Sequence, residues 1–193
     1  MEIENNIYSA ILASLQMLCQ AYIPAAILGI GIGIVIGNNN IIYEILKRVL
    51  QIPASIPAIA LLPIALIQFK DNLSSVLFLI FFSAIWQIAI NTATGVRKSR
   101  REENGMKVAI EHIFTGLRIG IGLAWFTVIA AEILVGGRGI GFFIWDAYNS
   151  NETEQVLKGV LYIAIIGFLL DGVLDLAGYL VMRPFASDEK NNL

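Results

Sequence analysis

The chain has 193 residues, of which 57% are hydrophobic and 15% charged, with a formal net charge of −2. Soluble domains run at about 45–50% apolar and about 25% charged, so these figures argue against a soluble enzyme, a nucleic-acid binder and a disordered tail. They fit a polytopic membrane protein, and at about 20 residues per spanning helix the apolar stretches leave no room for a separate soluble domain of ordinary size.

The N-terminus, Met1-Glu2-Ile3-Glu4, is acidic and lacks the basic region of a signal peptide. The first apolar segment is therefore expected to stay in the mature protein. No charged residue occurs from Asn5 to Tyr43, and a spanning helix is predicted over 10–37, ended by Asn38-Asn39-Asn40. Gly29, Gly33 and Gly37 recur every fourth residue within it and make a flat face where another helix can approach. They are not a dinucleotide loop, because no strand precedes them and no amphipathic helix follows. Cys19, the single cysteine, excludes an internal disulfide and reads as a small packing residue. Ile41 to Leu50 is a short amphipathic stretch carrying Glu44, Lys47 and Arg48. The second predicted span, 49–69, contains Pro53, Pro57 and Pro63, which imply a kinked element supported by its neighbours. Lys70-Asp71 makes a tight turn before the third span, 72–96.

Arg97 to His112 is the long polar segment inside this apolar body. It reads as a solvated loop, a lipid-headgroup site or a docking surface, and charge alone leaves the three open. His112 is the single histidine, so a His-based metal cluster is excluded, and nothing in the sequence calls for a metal or a cofactor. The fourth span, 114–135, carries Arg118 and Glu132, with Gly116, Gly120 and Gly122 as a second packing face. Gly136 to Gln155 is a Gly-rich loop with Phe142, Phe143, Trp145 and Tyr148 as aromatic anchors, and its glycines permit a re-entrant bend. The fifth span, 156–182, carries Lys158, Asp171 and Asp175. Residues 1–183 thus read as one all-α transmembrane domain, and 184–193 as a polar tail. No nucleophile–base set or P-loop is present, so the chain is not expected to be an enzyme, and any ATPase motor must be another chain.

Five spans put the two ends on opposite sides of the membrane. With the Arg97–His112 segment inside, Lys47, Arg48, Arg97, Lys98, Arg100, Arg101, Lys107, Arg118, Arg183 and Lys190 all fall on the cytoplasmic side, ten of the thirteen basic residues. The positive-inside rule then sets an external N-terminus and a cytoplasmic C-terminus. Charges at membrane depth are costly and need partners. At 1.5 Å per residue, Arg118 lies about 10 Å from the centre of its span, at a depth similar to that of Asp175, which predicts an Arg118–Asp175 or Arg118–Asp171 ion pair. Glu132 falls about 10 Å towards the outside by the same rise. It either caps or pairs near the interface, with Arg138 as its one basic neighbour, or lines a polar pathway.

Several stretches resemble the permease subunit of binding-protein-dependent ABC importers, within the nitrate–sulfonate–taurine group and nearest its nitrate/bicarbonate branch. They are Ile52-Pro-Ala-Ser-Ile-Pro57 with Leu62-Pro63-Ile64, Ile85-Trp-Gln-Ile with Asn91-Thr92, and Phe114-Thr-Gly-Leu-Arg-Ile-Gly120. The most specific are Ala130-Ala-Glu132-Ile-Leu and Gly139-Ile-Gly-Phe-Phe-Ile-Trp-Asp-Ala-Tyr-Asn-Ser150. The resemblance implies the five-helix core of a type I importer permease, a second permease subunit, cytoplasmic ATPase subunits and an external substrate-binding protein. It implies ATP-driven alternating access for nitrate or a similar small anion in a bacterial inner membrane, although the Ile- and Asn-rich composition also suits a plastid. Glu132, Arg138, Gly139 and Gly141 become the candidate translocation path, and Glu102, Glu103, Gly105 and Glu111 the candidate ATPase coupling loop.

Two departures stand out. Family members usually carry another apolar segment before this core. Their cytoplasmic loop also carries Glu-Ala-Ala, a later glycine and a Leu-Pro-like element, whereas here Glu102-Glu103-Asn104 precedes Gly105 with no following proline. The loop is expected to have lost part of its length, leaving Met106 to Ile113 as a stub. A membrane scaffold uncoupled from ATP is therefore the alternative function, with sulfonate, taurine-like or bicarbonate import as the alternative substrates.

Overall fold

A computed structural model describes residues 2–187. The expected tail from residue 188 on, with Lys190, lies outside the described residues. All described elements are helical: α1 (Glu2–Asn38), α2 (Asn40–Ala54), a 3-10 turn (Ala58–Leu61), α3 (Leu62–Phe69), α4 (Asn72–Ser99), α5 (Gly105–Val135), α6 (Ile140–Asn149) and α7 (Thr153–Ser187). Stretches within α1, α4, α5 and α7 are long and apolar enough to cross a membrane, and the broken α2–α3 pair makes a fifth span if it is counted as one.

The boundaries follow local chemistry. Asn39 ends α1 and caps α2, its side-chain oxygen accepting from the N–H groups of Ile41 at 2.9 Å and Ile42 at 3.2 Å. The kinked span expected at 49–69 falls on two helices with a sharp bend and a turn between them. Pro53 sits in the last turn of α2, Pro57 caps the 3-10 turn, and Pro63 enters the first turn of α3. Three missing N–H donors break the helix at positions where proline is tolerated. Lys70 closes α3 in the left-handed region (φ 54°), and Asp71 caps α4 by accepting from the Ser74 N–H at 2.8 Å.

Two expectations are corrected. The polar segment Arg97–His112 is not a long loop. Helix α4 runs to Ser99 and α5 starts at Gly105, so Met106 to Ile113 is the first part of a long helix and no separate stub. A Cβ at Gly105 would lie 2.0 Å from the Ser99 carbonyl oxygen, so only glycine permits so tight a junction. The Gly136–Gln155 stretch is not a plain loop either, because α6 occupies its middle. Helix α7 also passes Pro184 and reaches Ser187, beyond the start predicted for the tail.

Contacts group the chain into two compact units. The first comprises Met1–Pro24, Pro57–Ser83 and Gly122–Leu169. Its core includes Leu62, Ala65 and Leu79, with Ile59, Phe78 and Val135 packed against them. Trp125 packs on Gly167, and its indole N–H donates to the Ile163 carbonyl at 3.2 Å.

The second unit comprises Ala25–Ile56, Ala84–Ile121 and Leu170–Leu193. Here the glycine face of α1 lies on α4. A Cβ at Gly33 would come 2.5 Å from Thr92 Cβ, and one at Gly37 would come 2.7 Å from the Ala93 oxygen. Gly116 and Gly120 of α5 approach Ile88 on the same helix, so fully buried Ile88 fills the seam between Gly29 and these two. Gly122, expected on that second face, meets nothing within 4 Å. Tyr43 packs with Ile36 and Ala93, and Arg97 lies 4.4 Å over the Tyr43 ring while pairing with Glu44 at 2.7 Å. Cys19, read as a packing residue, is exposed.

Candidate functional site

The first unit holds a buried polar junction built from three separate helices. Gly139, at φ 109°, starts α6 without a side-chain cap of its own, and the first N–H groups of a helix need acceptors. Distant residues supply them. The Ile140 N–H donates to the Ser14 hydroxyl oxygen at 2.9 Å, and the Gly141 N–H donates to Glu132 Oε2 at 2.8 Å. Ser14 in turn donates to Glu132 Oε1 at 2.6 Å. Glu132 is 2% exposed and Ser14 wholly buried. The Glu132 carboxyl group faces the N-terminal end of α6, where the first N–H groups of the helix point towards it. Glu132 has Ser14 and a backbone amide as its partners, and not Arg138.

Gly139 and Gly141 belong to this junction through their backbones. A Cβ at Gly139 would lie 2.2 Å from the Glu132 carboxyl carbon, and one at Gly141 would lie 2.4 Å from the Ile129 oxygen. Both glycines are therefore required by the close approach of α5. Ser14 escaped sequence reasoning because a lone serine in an apolar helix carries no local sign of a partner over a hundred residues away.

Arg138 stands apart. It is exposed on the turn whose glycines 136, 137 and 139 adopt positive φ. Two cavities adjoin it. One of 320 Å3 is lined by α1, the turn, Phe142, Phe143 and Asp146. The other, of 280 Å3, is lined by Met17, Asp71, Val76, Glu132 and the turn. Glu132 thus borders a cavity while both its oxygens are engaged.

In the second unit, Arg118 grips α7. Its Nε donates to Asp171 Oδ1 at 2.8 Å, its Nη2 reaches Asp171 Oδ2 at 2.6 Å, and its Nη1 bonds Asp175. Both predicted partners are engaged at once, and the bidentate fork holds Asp171 in plane. The group stays partly open, with 39% of the Arg118 side chain and 63% of the Asp175 side chain exposed.

The remaining candidates are not brought together into a site. Glu102 and Glu103 are exposed in the α4–α5 turn, Gly105 seals that turn, and Glu111 is exposed on α5. His112 packs against Gly95 and bonds the Val108 carbonyl at 3.1 Å. Trp145 and Tyr148 stack at 5.5 Å on the exposed side of α6.

Comparison with known proteins places these features in context. The model of a family described as the inner membrane component of binding-protein-dependent transport systems matches residues 29–103 and 106–181. The chain is 37% identical over 204 aligned residues to the nitrate import permease protein NrtB of Leptolyngbya laminosa, covering 97% of this chain and 72% of that protein. It is 41% identical to the bicarbonate transport system permease protein CmpB of Synechococcus elongatus, covering 88% and 67%. It is 31% identical to the taurine transport system permease protein TauC of Escherichia coli, covering 86% and 66%. The chain thus spans about two thirds of the length of most of the curated relatives it matches. The 204 aligned positions exceed the 193 residues present, so that relative carries residues inside the matched region with no counterpart here. The family match itself is interrupted at residues 104–105, at the α4–α5 turn.

Proposed function

The chain belongs to the family of inner membrane components of binding-protein-dependent transport systems, and from that premise we propose that it is the permease subunit of an ABC importer for nitrate or a similar small anion. As a multi-pass membrane protein of this family it is a transport subunit. The observation that carries the anion reading is its 36–41% identity to nitrate and bicarbonate permeases over most of its length. Arg138 adds physical support. It makes no ion pair among the described residues and offers positive charge beside two cavities.

The full assembly we propose has a second permease subunit of the same kind, cytoplasmic ATPase subunits and an external binding protein. Five spans, with α2–α3 as a broken one, put the N-terminus outside and the C-terminus in the cytoplasm, and the distribution of basic residues favours that orientation. The turn at 136–139, with Arg138, then faces outward, and the Glu132 junction fixes the wall of the outer path. A bacterial inner membrane is the proposed location, with a plastid membrane as the other candidate. Uptake of labelled nitrate, bicarbonate and taurine in cells with and without this chain tests the reading. Nitrate or bicarbonate uptake should depend on the chain. Uptake of taurine alone would move the substrate to the sulfonate class.

One observation favours a second reading. The α4–α5 turn holds only Arg100–Asn104, where the family match is interrupted. A permease that had lost its coupling loop there would act as a membrane scaffold. Purification in mild detergent discriminates: an importer subunit brings an ATPase chain with it, and a scaffold uncoupled from ATP does not.

A further inference from the structure

A third cavity, of 70 Å3, lies against Arg138 in the first unit and is lined by Ala13, Gln16, Met17, Gln20, Leu73 and Arg138. It shares Ala13 and Gln16 with the 320 Å3 cavity and Met17 and Leu73 with the 280 Å3 cavity, so it joins the two. Its lining differs from theirs in charge. Asp146 borders the first cavity, and Asp71 and Glu132 border the second. No carboxylate borders the third.

Its polar groups are one guanidinium and two carboxamides, with donors in excess of acceptors. A guanidinium carries five N–H donors and no acceptor, and each carboxamide carries two more. Arg138, Gln16 and Gln20 make no hydrogen bond or ion pair among the described residues. Gln16 and Gln20 lie one turn apart on α1, both exposed, in a helix otherwise so apolar that a lipid-facing carboxamide would be costly. Their placement makes sense against water or a solute. The other three walls, Ala13, Met17 and Leu73, are apolar, and they lower the local dielectric in which a bound charge feels the guanidinium.

We propose that this cavity is the anion-selecting site of the permease, taking a monovalent planar oxyanion of four heavy atoms through Arg138, Gln16 and Gln20. A planar anion meets the flat guanidinium fork with two parallel hydrogen bonds, and the two carboxamides supply donors from the α1 side. A planar anion of four heavy atoms can reach all three polar side chains in this small space. Gly137, at φ 103° with nothing within 4 Å of its Cβ direction, keeps the backbone beside Arg138 in a conformation that other residues resist. The inference rests on the importer reading and adds which residues choose the ion.

The test is labelled nitrate uptake in cells carrying the complete transporter, with membrane levels of the chain measured by immunoblot. Gln20→Glu exchanges one amide group for a carboxylate of nearly the same shape and should lower uptake at least about tenfold. Arg138→Gln should do the same, and Arg138→Lys should retain an intermediate rate, since the charge survives but the planar fork does not. Lys158→Gln removes equal charge from a helix that does not line the cavity and should leave uptake within about twofold of wild type. Gln20→Glu and Arg138→Gln both within twofold of wild type, at equal membrane levels, would overturn the site. A wild-type chain that supports no nitrate or bicarbonate uptake would instead overturn the importer reading itself. All three side chains are exposed and unbonded among the described residues, so these substitutions act on passage and not on folding.

Discussion

Glu132 holds two donors at once, and its replacement releases both. Glu132→Ala leaves the Gly141 N–H without its acceptor in a buried place, while the Ser14 hydroxyl falls back on the Ala10 carbonyl at 3.2 Å, at a cost of about 1–3 kcal/mol for the group left unsatisfied. Ser14→Ala removes one member of the same network, so the double variant should fall short of the sum of the singles by about 0.5–3 kcal/mol. Thermal unfolding in detergent measures both, and strict additivity would contradict the shared junction. The glycines of α1 give a second comparison. Gly33→Ala drives a methyl into Thr92 and the Ala89 oxygen and should cost about 1–3 kcal/mol. Gly31→Ala, with open space around it, should be neutral or stabilising by up to about 1 kcal/mol. Asp71 supplies a pH dependence. The Ser74 backbone N–H, with help from the Ser74 side chain, holds its carboxyl below the usual carboxylate range. Its contribution is therefore complete above the unfolded value of about 3.9 and is lost as the pH falls through the folded value. Asp71→Ala should lower the Tm near pH 7, and the gap to wild type should narrow as the pH falls below that unfolded value. A gap that persists there would contradict the cap.

At the scale of elements, legibility followed whether the signal was local. The uncharged runs located α1 and α4, and apolar runs with a few charges located α5 and α7, because a long apolar stretch has one stable answer in lipid. The ion pair was legible from depth alone, since Arg118 had nowhere else to find a counter-charge. What escaped depended on other parts of the chain. Helix α6 begins at glycines and has no capping side chain in its own sequence. Its start is stabilised by Ser14 and Glu132, so local reading saw only a loop. The α2–α3 break needed three prolines placed at a helix end, a turn cap and a helix start, where composition suggested a single kinked span. The α4–α5 connection looked like a loop because it is charged, yet charges at helix ends are well solvated and do not stop a helix. Its true stop is the close fit of Gly105 on Ser99.

For the whole molecule, charge and exposure bear on the same account. The most apolar stretch of α7 has no residue buried within this chain, and Phe168 and Val173 are 78% and 66% exposed. Such a helix needs lipid or a further subunit around it. The polar groups of the first unit are arranged in two ways: Glu132 and Ser14 are satisfied internally and hold α6, while Arg138, Gln16 and Gln20 are left with donors to spare. That division, a fixed scaffold beside donors proposed to receive an anion, is the central claim. Proteoliposomes containing the complex purified through this chain test it most directly. The account predicts that nitrate or bicarbonate accumulates only when ATP is present on the ATPase side and the binding protein on the other. A complex that hydrolyses ATP under these conditions and moves neither anion would contradict it.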